Sequence, residues 1–184
     1  MKTVQNIIRR NIQGKKVLLL FLLTNIVYVA MLLVTIPGVM DFANGMNLLD
    51  MMPIGYDLEY VDSLFHALGA EGRNAYLYSQ IPLDMVYPFL FGISYCLVLA
   101  YFLNKLNKLK SPLGYLCLLP LIAGIFDYFE NFGILALLSN YPEISNSSVT
   151  ITSSFTLLKS ISTTLYFMIL IGFLVLLLIK TSRK

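Results

Sequence analysis

Asp127, Glu130 and Asn131 lie in the run IFDYFENFGI, inside a segment otherwise built of apolar residues. At i, i+3 and i+4 the two carboxyl groups and the amide share one helical face. An acid in hydrocarbon costs roughly 2.5–3.5 kcal/mol on insertion scales, so it marks a function or a buried partner. Acids placed this way can divide general-acid and general-base work, carry protons, or hold helices together. With Asn131 they also present oxygen ligands of the kind that hard cations take. The spacing of Asp84, Asp127, Glu130 and Asn131 is no recognised metal motif, and no metal or other cofactor is predicted.

Other chemistries lack their residues. Cys96 and Cys117 both sit inside apolar segments and no C-x-x-C occurs. They read as small buried hydrophobes, which argues against a disulfide-exchange relay. His66 is the single histidine, whereas zinc needs several donors. There is no Gly-rich phosphate loop and no nucleophile elbow, and a net charge of +3 is too small to suggest nucleic acid.

The elements that must position the acids are membrane spans. Of 184 residues, 58% are hydrophobic and 12% charged, about half the charge of a soluble domain. Four stretches exceed the roughly 17–20 apolar residues that cross a bilayer: about 17–39, 83–103, 113–138 and 154–179. The first is too long for a signal-peptide core and has no A-x-A-like site after it, so it is expected to be retained. The chain is expected to form one integral membrane domain over 1–184. That domain is all-α, a polytopic (multi-pass) transmembrane four-helix bundle.

Charge sets the orientation. Lys2, Arg9, Arg10, Lys15 and Lys16 precede the first span; Lys105, Lys108 and Lys110 separate the second and third; Lys180, Arg183 and Lys184 follow the fourth. The positive-inside rule then places both termini in the cytoplasm. Asp41, Asp50, Asp57, Glu59, Asp62 and Glu71 fall on the other side. So strong a bias disfavours insertion both ways up.

Residues 40–82 are too long for a plain connection and are expected to form an extracytoplasmic helical cap between the first two spans. Asp57 suits an N-cap, Leu58, Val61, Leu64, Phe65 and Leu68 follow helical spacing, and Gly69 suits a stop. A second helical stretch, Glu71–Gln80, leads into the second span near Pro82. Arg73 is expected to play a structural role, with pairing to Glu71 or a bundle carboxylate and contact with lipid phosphate as the alternatives. MMPIGY before Asp57 reads as an apolar turn.

Helical rise sets the depth of the polar groups. Asp127 lies roughly 21 Å and Glu130 roughly 25 Å above the cytoplasmic face, and Lys159, descending the fourth span, roughly 22 Å. Asp84 sits near the outer edge, with Tyr87 one turn deeper. On the third span Pro120, Ala123, Gly124, Asp127, Glu130 and Asn131 form a small-and-polar stripe, and Ile122, Ile125, Phe129 and Phe132 fall elsewhere. Thr156, Lys159, Ser160 and Thr163 share a face of the fourth span; Asp84, Tyr87, Phe91, Ser94 and Tyr95 share one of the second. Pro88 cannot donate to the Asp84 carbonyl, so an acceptor is left open beside a carboxyl group. These positions predict an outward-half polar pocket among the second, third and fourth spans. Its polar cluster is Asp84, Tyr87, Asp127, Glu130, Asn131, Lys159 and Thr163.

The elements Gly69-x-x-Gly72-Arg73-x-x-Tyr76, Leu83-Asp84-x-x-x-Pro88 and Asp127-x-x-Glu130-Asn131 together resemble small uncharacterised bacterial four-span membrane proteins. The resemblance covers roughly half the chain and implies the four-span architecture and a bacterial cytoplasmic membrane. It implies no activity and no catalytic residue.

Three functions fit these residues. In the first, the cluster is interhelical glue or a lipid-binding site in a structural or assembly protein, with the bilayer, a lipid ligand, a second copy or a membrane partner as its contacts. In the second, Asp84, Asp127 and Glu130 supply acid and base groups of an intramembrane enzyme acting on a lipid or isoprenoid. The third is proton- or ion-coupled transport, although the inner halves of the spans carry no matching ionisable residues.

Overall fold

In hydrocarbon every backbone N–H and C=O must be satisfied within the protein, which leaves helices and closed barrels as spanning forms. The computed structural model describes residues 2–182, with side chains from Ile7 onward. The basic residues Arg183 and Lys184 lie outside the described residues, as does the side chain of Lys2. The architecture is all-α. A short helix α1 (Lys2–Asn11) precedes four long ones: α2 (Gly14–Met40), α3 (Leu58–Lys105), α4 (Pro112–Asn140) and α5 (Asn146–Ser182). All four long helices have the length and composition to cross a membrane, which makes the chain a small integral membrane protein. Leu19, Leu33, Met168 and Leu178 are each more than 65% exposed. Such surface is costly in water and ordinary against lipid tails.

The helices pack in sequence order, α2 on α3, α3 on α4, and α4 on α5, with α3 also touching α5. Two apolar clusters stack along the bundle. One joins α1 to the α3–α4 turn and contains Ile8, Phe91, Leu103, Cys117 and Tyr166. Lys180 at the end of α5 donates to the Lys105 carbonyl at 3.4 Å, so Arg9, Arg10, the α3–α4 lysines and Lys180 gather at one end. The other cluster packs Val39, Leu48 and Leu49 against Val61, Leu64, Phe65, Ile134 and Val149. α1 escapes the span-by-span reading because ten residues are too few to cross hydrocarbon.

α3 is broken once. The Asp57 carboxylate accepts from the Tyr60 N–H at 2.9 Å and caps its start. At Gly69 the backbone turns to φ 60°, ψ −170°, a region open essentially to glycine alone. The break frees the Phe65 carbonyl, and Arg73 donates to it at 2.7 Å. The same guanidinium lies 4.6 Å from the centre of the Tyr141 ring. Arg73 therefore mends a helix break instead of meeting Glu71 or a bundle acid.

Two helices widen locally. Met31–Thr35 of α2 and Tyr76–Gln80 of α3 are π-turns, which recur at functional sites. They face one another: the Thr35 hydroxyl donates to the Gln80 amide oxygen.

Candidate functional site

The α3–α4 seam brings Asp84 of α3 beside the acids of α4. Pro88 lacks an N–H, so the carbonyl of Asp84 loses its helical donor. The Asn131 amide of α4 supplies one at 2.9 Å. Gly124 makes the approach feasible, since a Cβ there would lie 2.8 Å from the Pro88 carbonyl oxygen. Ile122, Ile125, Phe129 and Phe132 point away and are exposed, while Pro120, Ala123, Gly124, Asp127, Glu130 and Asn131 are buried.

On the other flank α5 brings Lys159 between two acids of α4. Its ammonium lies 3.3 Å from Asp127 and forms an ion pair with Glu130. The second Glu130 oxygen accepts from the Thr156 hydroxyl at 2.8 Å. Lys159 is thus a single cation shared by two acids. Tyr56, from the segment before α3, is inserted against the same group, with its hydroxyl buried near Thr156, Glu130 and Lys159. Burial keeps this phenol protonated well above its ordinary range. The chain is pinned there because the Tyr56 N–H donates to the Ser153 hydroxyl at 2.8 Å.

A cavity of about 440 Å³ opens beside this cluster. Its polar lining is Asp50, Asp84, Asp127 and Lys159, with Ser160, Thr163 and Thr164; its apolar lining includes Tyr28, Met31, Leu32 and Ile36 of α2 and Tyr87 and Phe91 of α3. Its walls thus differ from the pocket expected among the second, third and fourth spans: α2 supplies a whole side of it. α2 is anchored on α3 by Thr24, whose hydroxyl reaches the Leu90 carbonyl at 3.3 Å, and by Asn25, which accepts from the Tyr95 hydroxyl at 3.3 Å. Tyr28 stacks on Tyr87 with centroids 5.4 Å apart.

Of the seven expected cluster residues, Asp84, Tyr87, Asp127, Lys159 and Thr163 line this cavity. Glu130 and Asn131 are fully buried behind it and face Lys159 and Asp84 from within the bundle. The four oxygen donors weighed for a metal do not converge. Lys159 stands between Asp127 and Glu130, and Asn131 donates through its Nδ2 to the Asp84 backbone. Among the described residues no group of three or more His, Cys, Asp and Glu side chains is arranged to hold a metal ion.

Two site residues escape the sequence reading. Asp50 lies in a 3-10 turn (Leu49–Met51) and accepts from the Tyr76 hydroxyl at 2.7 Å and from the Gln80 amide at 3.0 Å. A relay therefore runs from Thr35 through Gln80 to Asp50, which lines the cavity. Its available signal is an acid isolated in the apolar run NLLDMMPIGY. Tyr56 carries no such mark.

Among the acids of the site, Asp84 is the one without a side-chain partner. The residue is 4% exposed and lines the cavity. Its backbone carbonyl is satisfied by Asn131, but its carboxyl group has no hydrogen bond or ion pair among the described residues.

Comparison with protein-family models, with curated proteins and with solved structures finds no match to this chain. Function therefore rests on the site alone.

Proposed function

We propose that this small integral membrane protein binds a single amphiphile, a lipid or isoprenoid, in the cavity between α2 and α5. The carrying observation is the mixed lining of the cavity: α2 contributes Met31, Leu32 and Ile36, whereas α4 and α5 contribute Asp127, Lys159, Ser160 and Thr163, with Asp84 from α3 and Asp50 from the segment before it. About 440 Å³ falls within the range of small-molecule sites. In this reading residues 40–82 form an extracytoplasmic cap that carries Asp50 and Tyr56, both termini are cytoplasmic, and the chain resides in a bacterial cytoplasmic membrane. The resemblance to four-span bacterial proteins agrees with that setting. The helix-tying role of Lys159, Glu130 and Asn131 belongs to the same reading, because a preformed site needs a rigid back wall.

Transport is less well supported. Below Phe91 the bundle closes on Tyr95 and Tyr166, with the Phe91 and Tyr95 rings 4.6 Å apart. Among the described residues the buried acids are Asp84, Asp127 and Glu130, all at the cavity level, and no buried Asp, Glu, Lys, Arg or His lies beside Tyr95 and Tyr166. The intramembrane-enzyme reading is favoured by one observation, the unpaired Asp84 carboxyl facing the cavity beside Tyr87.

The test is retention of an amphiphile through purification in mild detergent, read by mass spectrometry of the extracted protein. The wild-type chain is expected to carry near-stoichiometric amphiphile. A folded Thr163→Phe variant, which fills the cavity, should lose it. An empty wild-type protein that also takes up nothing from mixed-lipid vesicles overturns the proposal.

A further inference from the structure

We propose that the polar lining of the cavity selects an amphiphile whose head is an ammonium group, with Asp84 as its principal partner. The inference rests on the amphiphile-binding reading and adds the chemistry of the head.

The acids of this lining differ in what already satisfies them. Asp50 has two donors, Tyr76 and Gln80. Asp127 shares the Lys159 ammonium with Glu130. Asp84 has no side-chain partner, although it is 96% buried by its 4% exposure and borders the open space. A carboxyl group has acceptor capacity in either protonation state, and a charged donor is the partner that would let it ionise in this buried place. Three acids and one lysine line the cavity, and that lysine is also engaged by Glu130 behind the wall. A neutral hydroxyl head would supply a hydrogen bond but no counter-charge with which the buried Asp84 carboxyl could ionise. An ammonium head supplies both, and a buried charge is tolerated when it is paired.

The walls beside Asp84 agree with a cation. Tyr28 and Tyr87 stack, and Phe91 follows Tyr87 one turn on with ring centroids 5.7 Å apart. All three border the cavity. Aromatic faces around a desolvated cation add attraction that an uncharged head does not receive. The hydrocarbon tail then lies along Met31, Leu32 and Ile36 of α2. Two sources present this head, an aminophospholipid of the bilayer and a free long-chain amine.

The chain has no tryptophan, so Leu32→Trp places a single fluorophore on the cavity wall. The full-length protein in nanodiscs is titrated with a chain-brominated long-chain primary amine and with the alcohol of the same chain. Saturable quenching, displaceable by the unbrominated compound, reports occupancy. The amine is expected to bind about tenfold or more tightly than the alcohol. Adding Asp84→Asn should erase that preference while alcohol binding continues, which also shows that the variant is folded. Should Asp84→Asn not fold, the amine-to-alcohol ratio of the Leu32→Trp protein decides alone. Equal affinities, or a preference for the alcohol, overturn the ammonium inference and leave amphiphile binding standing. No displaceable quenching by either compound overturns both. Displacement of the amine by phosphatidylethanolamine in the disc assigns the head to a bilayer lipid, and absence of displacement assigns it to a free amine; each supports the inference.

Discussion

The amide of Asn131 donates to the backbone carbonyl of Asp84 at 2.9 Å. That carbonyl needs a donor because Pro88, four residues on, has none. One side chain of α4 thus repairs a defect in α3 and fixes the residue whose carboxyl faces the cavity. Asn131→Ala leaves a buried carbonyl unsatisfied and should cost about 1–3 kcal/mol. Pro88→Ala restores the helical donor, so Asn131→Ala in that background should cost clearly less. A double-mutant cycle in mixed-detergent unfolding measures the difference. Additive losses would show that the two residues do not share this acceptor.

Lys159 holds the opposite flank, with Asp127 at 3.3 Å and Glu130 as its second partner. Removing the cation strands two carboxylates, the Glu130 side chain with no exposure at all and that of Asp127 with 9%. Breaking such a pair from one side costs more than the pair contributes. Lys159→Met should therefore destabilise by about 3 kcal/mol. Adding Glu130→Gln should recover part of the loss, because fewer unpaired charges remain buried. The same unfolding assay reads both variants, and a double variant as unstable as Lys159→Met would contradict this balance of charges.

Glycines separate packing from propensity. At Gly124 a Cβ would come within 2.8 Å of the Pro88 carbonyl oxygen, a backbone atom that cannot rotate aside. At Gly172 nothing lies within 4 Å. Gly124→Ala should cost about 1–3 kcal/mol by prising α3 from α4, and should also weaken amphiphile retention. Gly172→Ala should be neutral or slightly stabilising, since alanine favours helix. Comparable losses at both sites would remove the close approach as the cause.

The contrast between Lys159 and Asp50 shows what the sequence could reveal. Lys159, Asp127 and Glu130 meet because helical rise and a 3.6-residue period turn sequence distance into depth and face. Both quantities are local and survive small errors in helix ends. The small-and-polar stripe of α4 was legible for the same reason. Asp50 and Tyr56 belong to a segment with no period, and their reach depends on how residues 41–57 fold back. The α2 wall of the cavity was hidden differently. α2 is apolar all round, so no stripe marks which face meets the site. The Thr35–Gln80 contact needs two π-turns, and nothing in local composition distinguishes these from ordinary helix. The Asp84 carbonyl lay in between: Pro88 exposed the open acceptor, but only the packed bundle identifies Asn131 as its donor.

Orientation is testable without disturbing the site. Cys96 and Cys117 are buried, so an introduced thiol can be labelled selectively. His66 is exposed on the first stretch of α3, before the Gly69 break. Lys108 is exposed in the turn between α3 and α4, where the basic residues gather. With eleven of 13 cations flanking the spans on one side, the positive-inside rule puts Lys108 in the cytoplasm and His66 outside. In intact cells an impermeant maleimide should label His66→Cys and spare Lys108→Cys until the membrane is permeabilised. Reversed labelling would invert the protein. The cavity with Asp50 and Asp84 would then lie in the cytoplasmic half of the membrane, and its amphiphile would come from the inner leaflet. Labelling of both positions in intact cells would mean that the charge bias does not fix one orientation.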